Sequence, residues 1–208
     1  MNNVVQFIQN GGVMMYPLLL CSVVLIALIS ERLWTLRKLS VDGDLLLDEI
    51  RAVRPVGPDA DNTQALEICN RLNRPLGRIF ARGLKNAHRS ADSIEMAMEQ
   101  EAANETPAFE ANLAIIKTII NIAPLLGLLG TIAGMISSFR AASQQGLSNP
   151  TAVLGGISEA LISTATGITL AILGFIFFNY FSLQSRKMVE DIEFYGATLV
   201  NHLTGRID

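Results

Sequence analysis

Charge is missing from long stretches of this 208-residue chain. No Asp, Glu, Lys or Arg occurs from Met1 to Ser30 or from Thr118 to Phe139, and between Ala141 and Ser185 the only one is Glu159. A soluble domain distributes charge over the outer face of every surface helix, so this pattern excludes one. Cysteine and histidine are also scarce. Cys21 lies in an apolar run and Cys69 in a charged region, which reads as two free thiols with neither a disulfide frame nor metal-ligand spacing. His88 and His202 stand alone and form no metal or catalytic constellation. There is no nucleophile–base pair, phosphate loop or metal spacing to support an enzyme, and no cofactor is implied. A net charge of −3 gives no nucleic-acid signal.

What the chain has instead is three apolar runs. A bilayer core of about 30 Å needs roughly 20 apolar residues in a helix. The runs 13–33, 111–140 and 152–181 meet that requirement. The second and third exceed it, so they tilt or project into water. The first lacks a basic leader, and Glu31-Arg32 follows it in place of a small-residue cleavage site, so it reads as a retained span. The expected fold is all-α, an integral membrane protein with three transmembrane helices.

Basic residues set the expected orientation. Arg32, Arg37 and Lys38 follow the first run, with eight more Lys or Arg up to Arg89, and Arg186 and Lys187 follow the third. The N-terminal stretch has none, and the loop 141–151 has only Arg140 at its edge. Residues 34–110 and 182–208 are therefore expected in the cytoplasm, as helical extensions of the membrane bundle. Residues 1–12 and 141–151 are expected on the outer face. Val4, Val5, Phe7 and Ile8 before Gly11-Gly12 suit a short interfacial helix, with a frayed uncharged terminus as the equal alternative.

Helical spacing in the cytoplasmic segment predicts helices over 41–54, 62–72, 76–87 and 90–104, broken by Pro55, Gly57 and Pro58 and before Arg74-Pro75. Ser90 is a candidate N-cap. Thr106-Pro107 is expected to start a helix that continues into the second span. Arg71, Arg74, Arg78, Arg82, Lys85 and Arg89 recur at three- and four-residue steps. They read as a solvated face with cytoplasmic bias, the alternative being a surface for anionic lipid headgroups.

Small residues crowd the second and third runs: Gly127, Gly130, Ala133 and Gly134 in one, Gly155, Gly156, Ala160, Ser163, Thr164, Gly167, Ala171 and Gly174 in the other. At three- and four-residue spacing they let membrane helices approach closely, within one chain or between copies. Pro124 removes one backbone hydrogen bond and can kink the second run.

Glu159 is the residue that points to function. Ionised and facing lipid, a carboxylate would cost several kcal/mol, so an acid there marks a protein interior or a wet cavity. Burial disfavours the charged form of a carboxyl group, which brings proton exchange within reach of neutral pH. If the second and third runs are helical up to a loop centred near Gln145, Thr131 and Glu159 share a depth. Ser163 and Thr166, at i+4 and i+7, share the face of Glu159. Thr164, at i+5, lies about 140° round the helix.

The segments IAPLLGLLGTIAGMISSF (Ile122 to Phe139) and GGISEALISTATGI (Gly155 to Ile168) resemble the two signature helices of the MotA/TolQ/ExbB proton-channel family. GGVMMYPLLLCSVVLIALISERLWTLRK resembles its first span. The resemblance implies a homo-pentamer in the bacterial inner membrane around a central pore. That pore would hold the transmembrane helix of an ExbD/TolR-like single-span protein bearing an essential aspartate. Proton flow would be coupled to the outer membrane through a TonB- or TolA-like protein. Thr131, Glu159 and Thr164 take the family's polar pore positions by motif; Ser163 and Thr166 are added by helix geometry. Three spans fit the ExbB/TolQ branch better than the four-span flagellar stator. The competing expectations are a structural scaffold for a partner helix and a small-solute transporter.

Overall fold

The computed structural model describes Phe7 and residues 10–40, 42–54, 57, 60–145 and 150–206. Their regular elements are all α-helices: α1 (Met15–Leu39), α2 (Gly43–Val53), α3 (Thr63–Leu72), α4 (Pro75–Lys85), α5 (Ala91–Glu110), α6 (Leu113–Gln145) and α7 (Pro150–Thr204). Phe7 and Asn10 are also helical. The remainder of the expected interfacial helix, the breakers Pro55 and Pro58, and loop residues 146–149 lie outside the described residues.

Local chemistry accounts for most helix ends. Asp42 caps α2 by accepting the amide of Leu45 at 3.3 Å. Asp61 accepts both the amide and the hydroxyl of Thr63 at the start of α3. Asn73 ends α3 in the left-handed region, which Asn tolerates. Arg74, ahead of a proline, is extended, and Pro75 opens α4 where its missing N–H costs nothing. Ser90 has cap geometry but caps nothing, since its hydroxyl sits 2.9 Å from that of Ser93.

One boundary differs from the sequence expectation. Pro107 lies inside α5, and the break falls at residues 111–112. Proline frees the carbonyl four residues back, and beside it the Thr106 hydroxyl donates to Ala102 O at 2.8 Å. Asn112, at φ +63°, makes the actual turn, and its side-chain amide donates to Glu31 Oε2 at 3.2 Å.

Helices α1, α6 and α7 each contain an apolar window long enough to cross a membrane. The 55 residues of α7 extend about 80 Å at 1.5 Å per residue, well beyond one bilayer core.

The chain divides into two compact units. The first comprises Met1–Arg32 and Asn112–Phe181. Its outer surface is apolar, with Leu20, Ile26, Leu125, Leu161, Ile172 and Phe175 all more than half exposed. At its polar end, Arg32 is buried and grips both Glu31 oxygens at 2.8 and 3.0 Å.

The second unit, Leu33–Ala111 with Ser182–Asp208, has a conventional core. Ile50, Ala65, Cys69, Ile79, Phe80, Leu84, Ile94, Phe109, Leu199 and Leu203 meet there, drawn from α2 to α5 and the end of α7. Burial pushes the Cys69 thiol up to about 12, so it is inert as a nucleophile. Arg54 is fully buried, donating to Asn62 Oδ1 and, at 2.7 Å, to Gly57 O, while its own carbonyl lies 3.2 Å from His202 Nε2. Three members of the basic ladder have partners inside this unit: Arg71 with Glu49, Arg74 with the Ser40 carbonyl, and Arg78 with Glu105 at 2.6 Å. Arg82, Lys85 and Arg89 are exposed.

Candidate functional site

Helices α6 and α7 pack antiparallel along a seam of small residues. Gly127 meets the backbone of Ser163 and Thr164, Gly130 meets the Ser163 side chain, and Gly134 meets Gly156 and Ala160. A Cβ added at Gly134 would stand 2.5 Å from Gly156 O, and one at Gly167 would stand 2.4 Å from Ala123 O. A side chain at either position would collide with backbone that cannot move aside. Ser138 closes the seam at one end, its hydroxyl 2.9 Å from Val153 O. Pro124 sits within α6 beside Ala123, and the helix runs through it. Gly155 is the exception among the glycines of these two helices, since a Cβ there would meet nothing within 4 Å. Such spacing suits apolar surroundings, where helices associate through van der Waals contact and a few hydrogen bonds.

Two polar groupings lie on this frame. In the first, the hydroxyls of Thr131 and Thr164 are 3.1 Å apart. Thr164 also donates to Gly127 O at 2.9 Å and Thr131 to Leu128 O at 2.8 Å. Each hydroxyl carries one proton, so these bonds are alternatives, exchanged by rotation about the C–O bond.

The second grouping surrounds Glu159. Its side chain is half-buried and lies against Gly12, where an added Cβ would fall 1.5 Å from Oε1. Among the described residues no group donates a hydrogen bond to this carboxylate and no cation pairs with it. Ser163 is fully buried against Gly130, with its hydroxyl on Ala160 O at 3.0 Å. Thr166 bonds back to Ile162 O at 2.8 Å.

The structure thus brings Thr131 and Thr164 together and places Glu159 on a different face of α7. Contacts on either side set Thr131 level with the turn between Ala160 and Thr164, within one helical turn of the acid. Ser163 stands in the α6–α7 seam. Sequence reasoning gave no role to Gly12 or Ser138. For Gly12 a signal was present, a glycine pair immediately ahead of an apolar run.

The model for the MotA/TolQ/ExbB proton channel family matches residues 71–194, more than half the chain. The chain belongs to the MotA/TolQ/ExbB proton channel family. The match spans both signature helices and about half of the second unit. A Synechocystis sp. protein named ExbB-like 1 is 37% identical over 186 residues, covering 86% of this chain and 71% of that protein. The biopolymer transport protein exbB1 of Vibrio cholerae is 30% identical over 183 residues, covering 83% and 76%. The Tol-Pal system protein TolQ of Pseudomonas aeruginosa is 34% identical over 98 residues, covering 47% and 42%. The chain is therefore a membrane protein of the ExbB/TolQ kind, with three helices able to span.

Proposed function

We propose that this chain is the proton-channel subunit of an inner-membrane motor on the ExbB/TolQ branch. It spans the membrane three times with its N-terminus periplasmic and its C-terminus cytoplasmic. Five copies surround a pore that holds an ExbD/TolR-like single-span helix bearing an aspartate. Proton flow through Glu159 drives a TonB- or TolA-like partner, energising outer-membrane transport or envelope maintenance. The observation that carries this reading is a carboxyl that is the one charged group between Ala141 and Ser185, with no cation paired to it among the described residues. An acid paired to a cation is locked in its ionised form, whereas an unpaired one is free to take up and release a proton. Thr131 and Thr164, close to the depth of Glu159 but on another face of α7, supply a rotatable hydroxyl pair for a separate step of the path. Pro124, Gly127, Gly130, Gly134, Gly156 and Gly167 hold the frame. Thr166, on the ridge of Glu159 by helix geometry, lines the approach to the acid, and Ser163 packs beside that ridge in the α6–α7 seam. One charge crossing 100 mV releases about 2.3 kcal/mol, enough to bias a rotating or rocking interface.

The test is Glu159→Gln in cells that depend on this chain. The variant is expected to insert and assemble at normal levels while all proton-driven work is lost. Wild-type work from it would sink the proton-site assignment. A scaffold reading is favoured by the tightness of the glycine seam. It expects the opposite split, with assembly disturbed and no selective loss of proton-driven work.

A further inference from the structure

We propose that the Gly11-Gly12 turn is the seat that positions the Glu159 carboxyl. This inference rests on Glu159 being the proton site. A glutamate has three rotatable side-chain bonds, so its carboxyl is placed by what it packs against. Here α7 presents Glu159 and Ile162, three residues apart, as one ridge. Gly11 is buried, and a Cβ on it would stand 3.2 Å from Ile162 Cγ2 and 2.9 Å from Met15 Sδ. At Gly12 a Cβ would overlap the carboxyl itself, at 1.5 Å from Oε1 and 2.2 Å from Cδ. The carboxyl fills the volume that any side chain at Gly12 would need.

The turn is held on both sides. The Gly11 amide donates to Phe7 O at 3.1 Å, and Gly12 O accepts the amide of Met15 at 3.1 Å, at the start of α1. Gly12 adopts φ +70°, a conformation that disfavours residues with a Cβ. The seat offers shape in place of charge. It fixes the carboxyl on the face of α7 turned away from the Thr131–Thr164 pair, with its protonation state left open. A positioning role of this kind is separate from the close helix contacts of the α6–α7 seam.

The test is the rate at which a membrane-soluble carbodiimide modifies Glu159 in membranes containing the full chain and its partner subunit. Gly12→Ala expels the carboxyl from its seat and is expected to raise the rate at least threefold, with proton-driven work reduced at least tenfold. Glu159→Asp leaves the turn intact but shortens the acid by one methylene, so it no longer reaches the seat. Its modification is also expected to rise at least threefold, which keeps the test open if Gly12→Ala fails to accumulate. Wild-type or slower modification in the accumulating variants would overturn the seat. The two claims separate cleanly: normal work from Gly12→Ala beside a dead Glu159→Gln removes only the seat, and an active Glu159→Gln removes the proton-site reading.

Discussion

Phe80 and Gly167 are both buried, and they hold helices together by opposite means. Phe80 belongs to a core of large side chains that brings α2 to α5 and the end of α7 together. Removing that apolar area from water supplies the stability, as in any globular domain. Gly167 contributes no side chain. It stabilises by its absence, letting two backbones approach where the surroundings are as apolar as the helices. The exposed residues differ in the same way. The first unit shows lipid-like Leu, Ile and Phe outward, whereas the second shows Arg, Lys, Asp and Glu around an apolar interior. The first surface suits lipid and the second suits water, and each region uses the packing that such surroundings reward.

The comparison is broken most severely at the seam. Gly167→Leu forces a side chain into the Ala123 carbonyl, and the chain is expected to disappear from the membrane fraction. Gly155→Leu, which meets open space, is expected to leave membrane levels unchanged. Equal loss from both would mean that the seam is not what holds α6 to α7. Next in size is Phe80→Ala, expected to destabilise the second unit by about 3–5 kcal/mol, read from denaturant unfolding of purified chain in detergent. Leu125→Ala, on the exposed apolar face, is expected to stay within about 0.5 kcal/mol in the same measurement.

The smallest effect is a pH dependence confined to the second unit. Burial, joined by the charges of Arg54 and Arg51, lowers the His202 pKa below its ordinary 6.5, against the opposing hydrogen bond to the Arg54 carbonyl. The unfolded chain then binds the proton more readily than the folded one. Stability is complete above pH 6.5 and declines as pH falls from there toward the folded pKa. His202→Gln is expected to flatten this slope. An unchanged slope in the variant would assign the dependence to other groups.

The spans were legible in the sequence because charge cannot be hidden in lipid, and the missing Asp, Glu, Lys and Arg outline α1, α6 and α7 directly. The bounds of α3 and α4 were legible to within two residues, with Arg74-Pro75 marking the break between them. Three features were not. Pro107 was read as a helix start, yet it lies inside α5, while the turn was made by Asn112, whose left-handed backbone no composition rule requires. Arg54 looked like one more basic residue on a polar segment, because its burial depends on Asn62, Gly57 and the distant His202. The contact of Gly12 with Glu159 joins the start of one helix to the middle of another, and no local period reveals it. The small-residue pattern was visible at every position, but only contacts separate Gly167, pressed on a backbone, from Gly155, which touches nothing.

The central claim is that Glu159, the lone acid of the apolar part of α7, carries protons. It is tested most directly by proton flux into liposomes containing this chain with its single-span partner subunit, under an imposed potential. The account predicts flux from the wild-type complex and background flux from Glu159→Gln, at equal protein and equal assembly. Flux from Glu159→Gln equal to wild type would contradict it.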